Sequence, residues 1–226
     1  MGFGAAPPIV GDPVRLMVKT GTRLSIFPLG GALLLPRSYL PLHIFEDRYK
    51  ALVSDALARD RRIAMIQPLP GEDEEHPALF DVGCVGKIDH VEALPDGRFN
   101  VLLEGLTRFR LRRELDVATP FRQIDADYAG YDGDLDAELI LSNVARASIE
   151  QEAKRFAEAQ GYAIDWQEVG RLDDQALVNG LSQAIPFDIA SKQALLEAET
   201  LEIRADLLAE LLRFSAAGDD GDVTLQ

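Results

Sequence analysis

The chain has 226 residues, 47% of them hydrophobic, and a formal net charge of −15, so it can bury a core as one large domain or two small ones. An acidic balance of this size argues against a protein that grips phosphate backbones, because nucleic-acid partners demand clustered Lys and Arg. The charge is unevenly spread: residues 1–130 hold 16 Lys+Arg against 18 Asp+Glu, whereas residues 131–226 hold 7 against 20, which points to two halves of different architecture.

Residues 1–22 lack a basic start followed by an apolar core and read as a loose tail, not a secretory signal. No stretch approaches the roughly 20 apolar residues of a membrane span. Cys84 is the single cysteine, which excludes an internal disulfide or a cysteine zinc cluster, suits the cytoplasm, and fits an inert core thiol.

Leu24 to Phe27 and Ala32 to Leu35 read as two short strands around a Gly30-Gly31 turn. Prolines at 28, 36 and 41 keep the neighbouring strands short, bounded or near an edge. A helix is expected from Phe45 to Arg59, with Phe45, Tyr49, Leu52, Val53, Ala56 and Leu57 on one apolar face. Ile63 to Gln67 is a brief buried strand, followed by the acidic loop GEDEEHP. Phe80 to Val91 is a longer strand with Gly83 and Gly86 marking a bulge or bend, and Leu94-Pro95-Asp96-Gly97-Arg98 turns it into a hairpin.

On the returning strand Phe109 and Leu111 share one face, and Arg108, Arg110 and Arg112 the other. The arginine row reads as a solvated stripe paired with Asp125 and Asp127 of the last strand, Ile124 to Tyr128. With Arg113 it is also the candidate platform for an RNA-binding alternative.

Past Gly130 the period changes to helical. Ala137, Leu141, Ala145, Ile149, Ala153 and Phe156 form a stripe that ends near Gly161. Asp173 or Asp174, and then Asp188, can cap further helices, which Pro186 separates. Ile203, Leu207, Leu208, Leu211, Leu212 and Phe214 mark the last one. The expected division is a tail at 1–22, a β-rich part at 23–130, a helical bundle at 131–216 and an acidic tail at 217–226.

Little of this carries catalytic chemistry. There is no G-x-x-x-x-G-K-[ST] loop to hold nucleotide phosphates, so no ATP hydrolysis is expected. Ser182, in a Gly-Leu-Ser-Gln-Ala echo of a nucleophile elbow, falls within a predicted helix. Asp132, Asp134 and Asp136 have calcium-loop spacing but lack its glycine and closing glutamate, so helix capping explains them better. His76 beside Glu74 and Glu75 reads as part of a solvated loop, and Trp166 as local packing between helices. The sequence calls for no catalytic residue, metal or cofactor.

Several successions also resemble a known family. Pro36, the Leu40-Pro41-Leu42-His43-Ile44-Phe45-Glu46 run and Arg48-Tyr49 resemble the opening of the Lon protease amino-terminal domain, which also occurs as free-standing bacterial proteins. Asp81 to Ile88, Leu94 to Gly97, Val101 to Phe109, Ile185-Pro186-Phe187, Leu195-Leu196-Glu197 and Leu207 to Leu212 continue it in order, covering about residues 24–214. The resemblance implies an α+β fold, a PUA-like six-stranded pseudo-β-barrel followed by an α-helical bundle. It further implies a non-enzymatic module that recognises unfolded or partner proteins, with Arg37, Tyr39 and His43 as the candidate contact residues.

Overall fold

The computed structural model describes residues 22–71, 76–135 and 140–217. Six strands come first: β1 (Thr22–Pro28), β2 (Tyr39–Ile44), β3 (Arg62–Pro68), β4 (Leu79–Ala93), β5 (Phe99–Leu115) and β6 (Gln123–Asp127), with helix α1 (Asp47–Ala58) between β2 and β3. A 3-10 turn at Asp132–Leu135 leads into helices α2 (Asn143–Ala159), α3 (Trp166–Val169), α4 (Asp174–Ala184), α5 (Ile189–Glu197) and α6 (Leu201–Ala217). Of the expected tails, only Thr22, which opens β1, and Ala217, which closes α6, belong to the described residues.

The strand order is β2-β5-β4-β3-β1-β6, and β6 pairs back onto β5. Hydrogen bonding therefore runs from β5 through β4, β3, β1 and β6 to β5 again, with β1 and β3 the parallel pair. β5 is long enough to use one flank twice: Phe99 to Glu104 face β2, and Arg110 to Leu115 face β6. The expected bulge is present, as a register shift between β4 and β5 at Val85/Gly86.

Where β5 changes partners, the segment leading into β2 fills the gap. Arg37 N donates to Gly105 O and Gly105 N donates to Ser38 O, both at 2.8 Å. A Cβ on Gly105 would stand 2.0 Å from Leu35 O, so only glycine admits this approach.

That approach overturns one expectation. Ala32 to Leu35 is not a strand, although Leu33, Leu34 and Leu35 are buried. Its peptide groups meet side chains and the following turn instead of a strand: Gln183 Nε2 donates to Leu33 O at 2.8 Å, Ser38 Oγ both accepts from Leu35 N and donates to Leu35 O, and Ser38 N donates to Leu35 O. The strand of this region is β2, where Pro41 sits on the sheet's edge as its missing N–H requires.

Helix α1 starts two residues later than expected. Ile44 still belongs to β2 and Glu46 stays extended (φ −71°, ψ 138°), which leaves Phe45 outside the helix and 61% exposed. The rest of the face, Tyr49, Leu52, Val53 and Ala56, is buried as expected.

The helical half follows its caps. Ser142, Asp165, Asp173 and Asp188 accept from backbone N–H groups of α2, α3, α4 and α5, and Gly161 takes a positive φ of 70° after α2. Leu141 is buried just before α2, and Ala137 lies outside the described residues. On α6 the buried face is Leu201, Arg204, Ala205, Leu208, Ala209 and Leu212, so Ile203 and Phe214 are exposed, contrary to expectation. One core cluster joins the two halves: Leu34, Leu52 and Leu103 belong to it with Ile149, Leu196 and Leu208. A smaller cluster around Phe109 and Ile124 lies under β1, β3, β4 and β6.

Arg108 departs furthest from its sequence reading. It is 5% exposed, because the face of β5 opposite Phe109 is covered by helices and not by water. Its Nε donates to both oxygens of Asp134. Nη1 donates to the carbonyls of Leu196 and Ala198, and Nη2 to Asp134 Oδ1 and Glu199 O. Asp134 is thus a buried partner and not a helix cap.

Two consequences are measurable by urea unfolding. Gly105→Ala should cost about 3 kcal/mol by forcing β5 away from Leu35. Arg108→Leu should cost about 3–5 kcal/mol because it strands a buried carboxylate, and adding Asp134→Leu should recover part of the loss.

Candidate functional site

Alternation along β2 turns Leu42 and Ile44 inward and Tyr39, Pro41 and His43 outward. The register sets this outward row beside Glu104, Leu102 and Asn100 of β5, and those beside Lys87, His90 and Glu92 of β4. Tyr39 is 53% exposed and Phe45, just past the strand, carries an equally open ring. The His43 and Phe45 rings stack with centroids 6.3 Å apart.

A polar chain fixes His43. Its Nδ1 bonds Asn100 Oδ1 at 2.8 Å, and its Nε2 meets Arg98 Nη1 at 3.2 Å. With Arg98 donating, the imidazole carries its proton on Nδ1 and donates it to Asn100. Asn100 Nδ2 in turn donates to Glu92 Oε2 at 2.9 Å, and Arg98 pairs with Asp96. That Arg98 hydrogen bond holds the Asp96 carboxyl below its ordinary range.

Of the three residues singled out from sequence, Tyr39 and His43 share this face. Arg37 lies in the preceding turn at φ 62°, its backbone tied to β5. Ser38, between them, is buried. Tyr39 and His43 are four residues apart, about 13 Å along a strand, so the row is a line of contacts and not a convergent centre. Phe45, Arg98, Asn100 and Leu102 escaped the sequence reading. Helical spacing places Phe45 on an apolar helix face, Asn100 and Leu102 join the row only through pairing across strands, and Arg98 joins it through His43.

The remaining candidates are not gathered into one site among the described residues. Ser182 is buried inside α4 and donates to Val178 O at 2.7 Å. His76 faces Glu114 at 3.3 Å, while Glu74 and Glu75 lie outside the described residues. Among the described residues no group of three or more His, Cys, Asp or Glu is gathered as a metal site would need. The arginine row is divided: Arg108 is buried, Arg110 is exposed, Arg112 pairs with Asp127 and Arg113 with Asp125. Trp166 is partly buried against the core, with the Lys154 ammonium 5.5 Å over its ring.

Comparison with known proteins fits this picture. A profile of the ATP-dependent protease La (LON) substrate-binding domain matches residues 23–213. The chain belongs to the Lon substrate-binding domain family. Among curated relatives of this domain, Lon protease 2 of Herpetosiphon aurantiacus is 28% identical over 88% of this chain and 24% of its own length. Lon protease of Anaeromyxobacter dehalogenans is 28% identical over 93% of this chain and 26% of its own. The chain thus spans about a quarter of the length of such relatives, and no ATPase or protease domain is matched in it.

Two solved structures share the Lon-domain fold. A Lon N-terminal domain protein from Xanthomonas campestris has 20% identity, a TM-score of 0.60, and covers 85% of this chain and 98% of its own. The N-terminal domain of Mycobacterium avium complex Lon protease gives 17%, a TM-score of 0.58 and the same coverage. No helix among the described residues of this Lon domain is long and apolar enough to cross a membrane.

Cys84 is fully buried on β4, and desolvation pushes its thiol far above the ordinary range. A thiol-disulfide exchange reagent should leave the native protein unlabelled at neutral pH and react once per chain after denaturation. Rapid labelling of the folded protein would contradict this placement.

Proposed function

We propose that the chain is a non-catalytic recognition module that binds unfolded or partner proteins, serving as an adaptor in protein quality control in the cytoplasm. The observation that carries it is the match to a substrate-binding domain over residues 23–213. In this proposal the β-rich and helical parts meet at residues 130–133, and the chain recognises clients without turnover of its own.

The outward row on β2, extended by Phe45, is the contact surface we assign to Arg37, Tyr39 and His43. Its chemistry supports the assignment. Pro41 cannot donate toward β5, so its backbone edge faces outward, and by parity the peptide groups of Tyr39 and His43 do too. Consistently, Tyr39 O is reached from outside the sheet by Gln183 Nε2 at 3.2 Å. An extended client segment lying along β2 would meet outward peptide groups at His43 together with two open aromatic rings. Such rings provide much of the binding energy at protein interfaces.

Tyr39→Ala combined with Phe45→Ala should weaken capture of a fluorescent unfolded casein by about tenfold, read by titration. Both side chains are exposed, so the unfolding midpoint should not move. Undiminished capture by the double variant would remove β2 from the contact surface. Failure of the unaltered chain to bind casein, or any other unfolded protein, would remove the function itself.

A further inference from the structure

A cavity of about 260 Å³ opens where β5, the 3-10 turn, α4 and the start of α6 meet, lined among others by Arg108, Tyr131, Asp134, Gln175, Glu199 and Arg204. It is unrelated to the β2 row. Arg204 is 4% exposed and its hydrogen-bond partners among the described residues are all neutral: Leu195 O at 2.8 Å, Asn179 Oδ1 at 3.2 Å and Ala198 O at 3.5 Å. These three bonds leave two of the five guanidinium N–H groups unused.

The nearby carboxylate cannot supply them. Both Asp134 oxygens are taken by Arg108, through its side chain and its backbone N–H. Two buried guanidiniums therefore share one buried carboxylate. Burial and repulsion from Arg108 bring Arg204 down to about 10, which still leaves it cationic at neutral pH. A buried charge without an opposite partner is costly.

Two further features give the cavity polarity. Gln175, 9% exposed in the same wall, has no side-chain hydrogen-bond partner among the described residues. Glu199 and Glu202 line the cavity too but are exposed, which places negative charge at its mouth. The interior favours an anion and the mouth repels one. A phosphate or dicarboxylate fails at the mouth, whereas a ligand with a carboxylate at one end and a cation at the other matches both.

We propose that this cavity binds the carboxylate of a basic amino acid, either free or as the last residue of a peptide. The carboxylate faces Arg204 and Gln175, and the ammonium or guanidinium faces Glu199 and Glu202. Tyr131 and Ile140 flank the ligand's aliphatic stem.

Calorimetric titration of the full chain tests this with L-lysine, L-arginine, and a short peptide ending in lysine, with its terminus free or amidated. Saturable binding of free-carboxylate ligands is expected, weakened about tenfold or more by amidation. Binding of the amino acids alone marks a metabolite site, and binding of the peptide alone marks a terminus reader. Glu199→Gln with Glu202→Gln, both at exposed positions, should abolish the preference for lysine over leucine at the peptide's end while keeping the preference for a free carboxylate. No saturable heat from any free-carboxylate ligand at millimolar concentration, or equal affinity for the amidated peptide, overturns the proposal. Neither result bears on casein capture through β2.

Discussion

A buried guanidinium ties the sheet of this protein to its helices at the most densely bonded point of their junction. Arg108 leaves β5 into the buried junction with the helices, and each of its five N–H groups finds an acceptor on the 3-10 turn or on the corner between α5 and α6. Removing such a group from water costs several kcal/mol, and only complete satisfaction with good geometry offsets it. The acceptors are mostly carbonyls freed where α5 ends, so a shift of that corner by an ångström would break several bonds together. Apolar packing between the halves is broad but directionless. The Arg108 fork supplies direction, together with Asn179 on Pro36 O, Gln183 on Leu33 O and Gln193 on Val82 O.

Around that fork lies a contrast of charge. The helical half is the acidic one, yet its junction with the sheet holds two arginines and one carboxylate at the centre. Surface acids are solvated and cost little, while the interior cations are held by peptide dipoles. Arg108 also lies 4.9 Å from the Tyr131 ring centroid, a contact that adds to its enclosure. Net charge along the sequence says nothing of this inner sign.

Much of the fold was legible because local patterning and tertiary packing agree. The β3 run, the β4–β5 hairpin and its glycine turn, and the Asp173 and Asp188 caps need only their neighbours in sequence to be read. The failures share a cause. Alternation in β5 separates two faces but cannot tell water from a covering helix, so Arg108 read as solvated. Apolar character marks Leu33 to Leu35 as buried but cannot show that side chains, not a neighbouring strand, bond their peptide groups. Phe45 stands where a period of two gives way to 3.6, and belongs to neither. In the candidate row, Tyr39 and His43 could be seen from proline spacing, whereas Asn100 and Leu102 arrive by pairing with residues about sixty positions away.

The ring of strands also sets an order of events. β1 gains one neighbour from β3 and the other from β6, and the Arg23 to Gln123 contact across that second seam joins residues 100 positions apart. A chain emerging from the ribosome must therefore hold the outer edge of β1 open until β6 has followed it out. Loops this long close late, since their entropy is lost before the contacts they bring can repay it. The first strand of the fold is among the last to be completed, and during synthesis its unpaired edge is the natural place for a chaperone to intervene or for two nascent chains to meet.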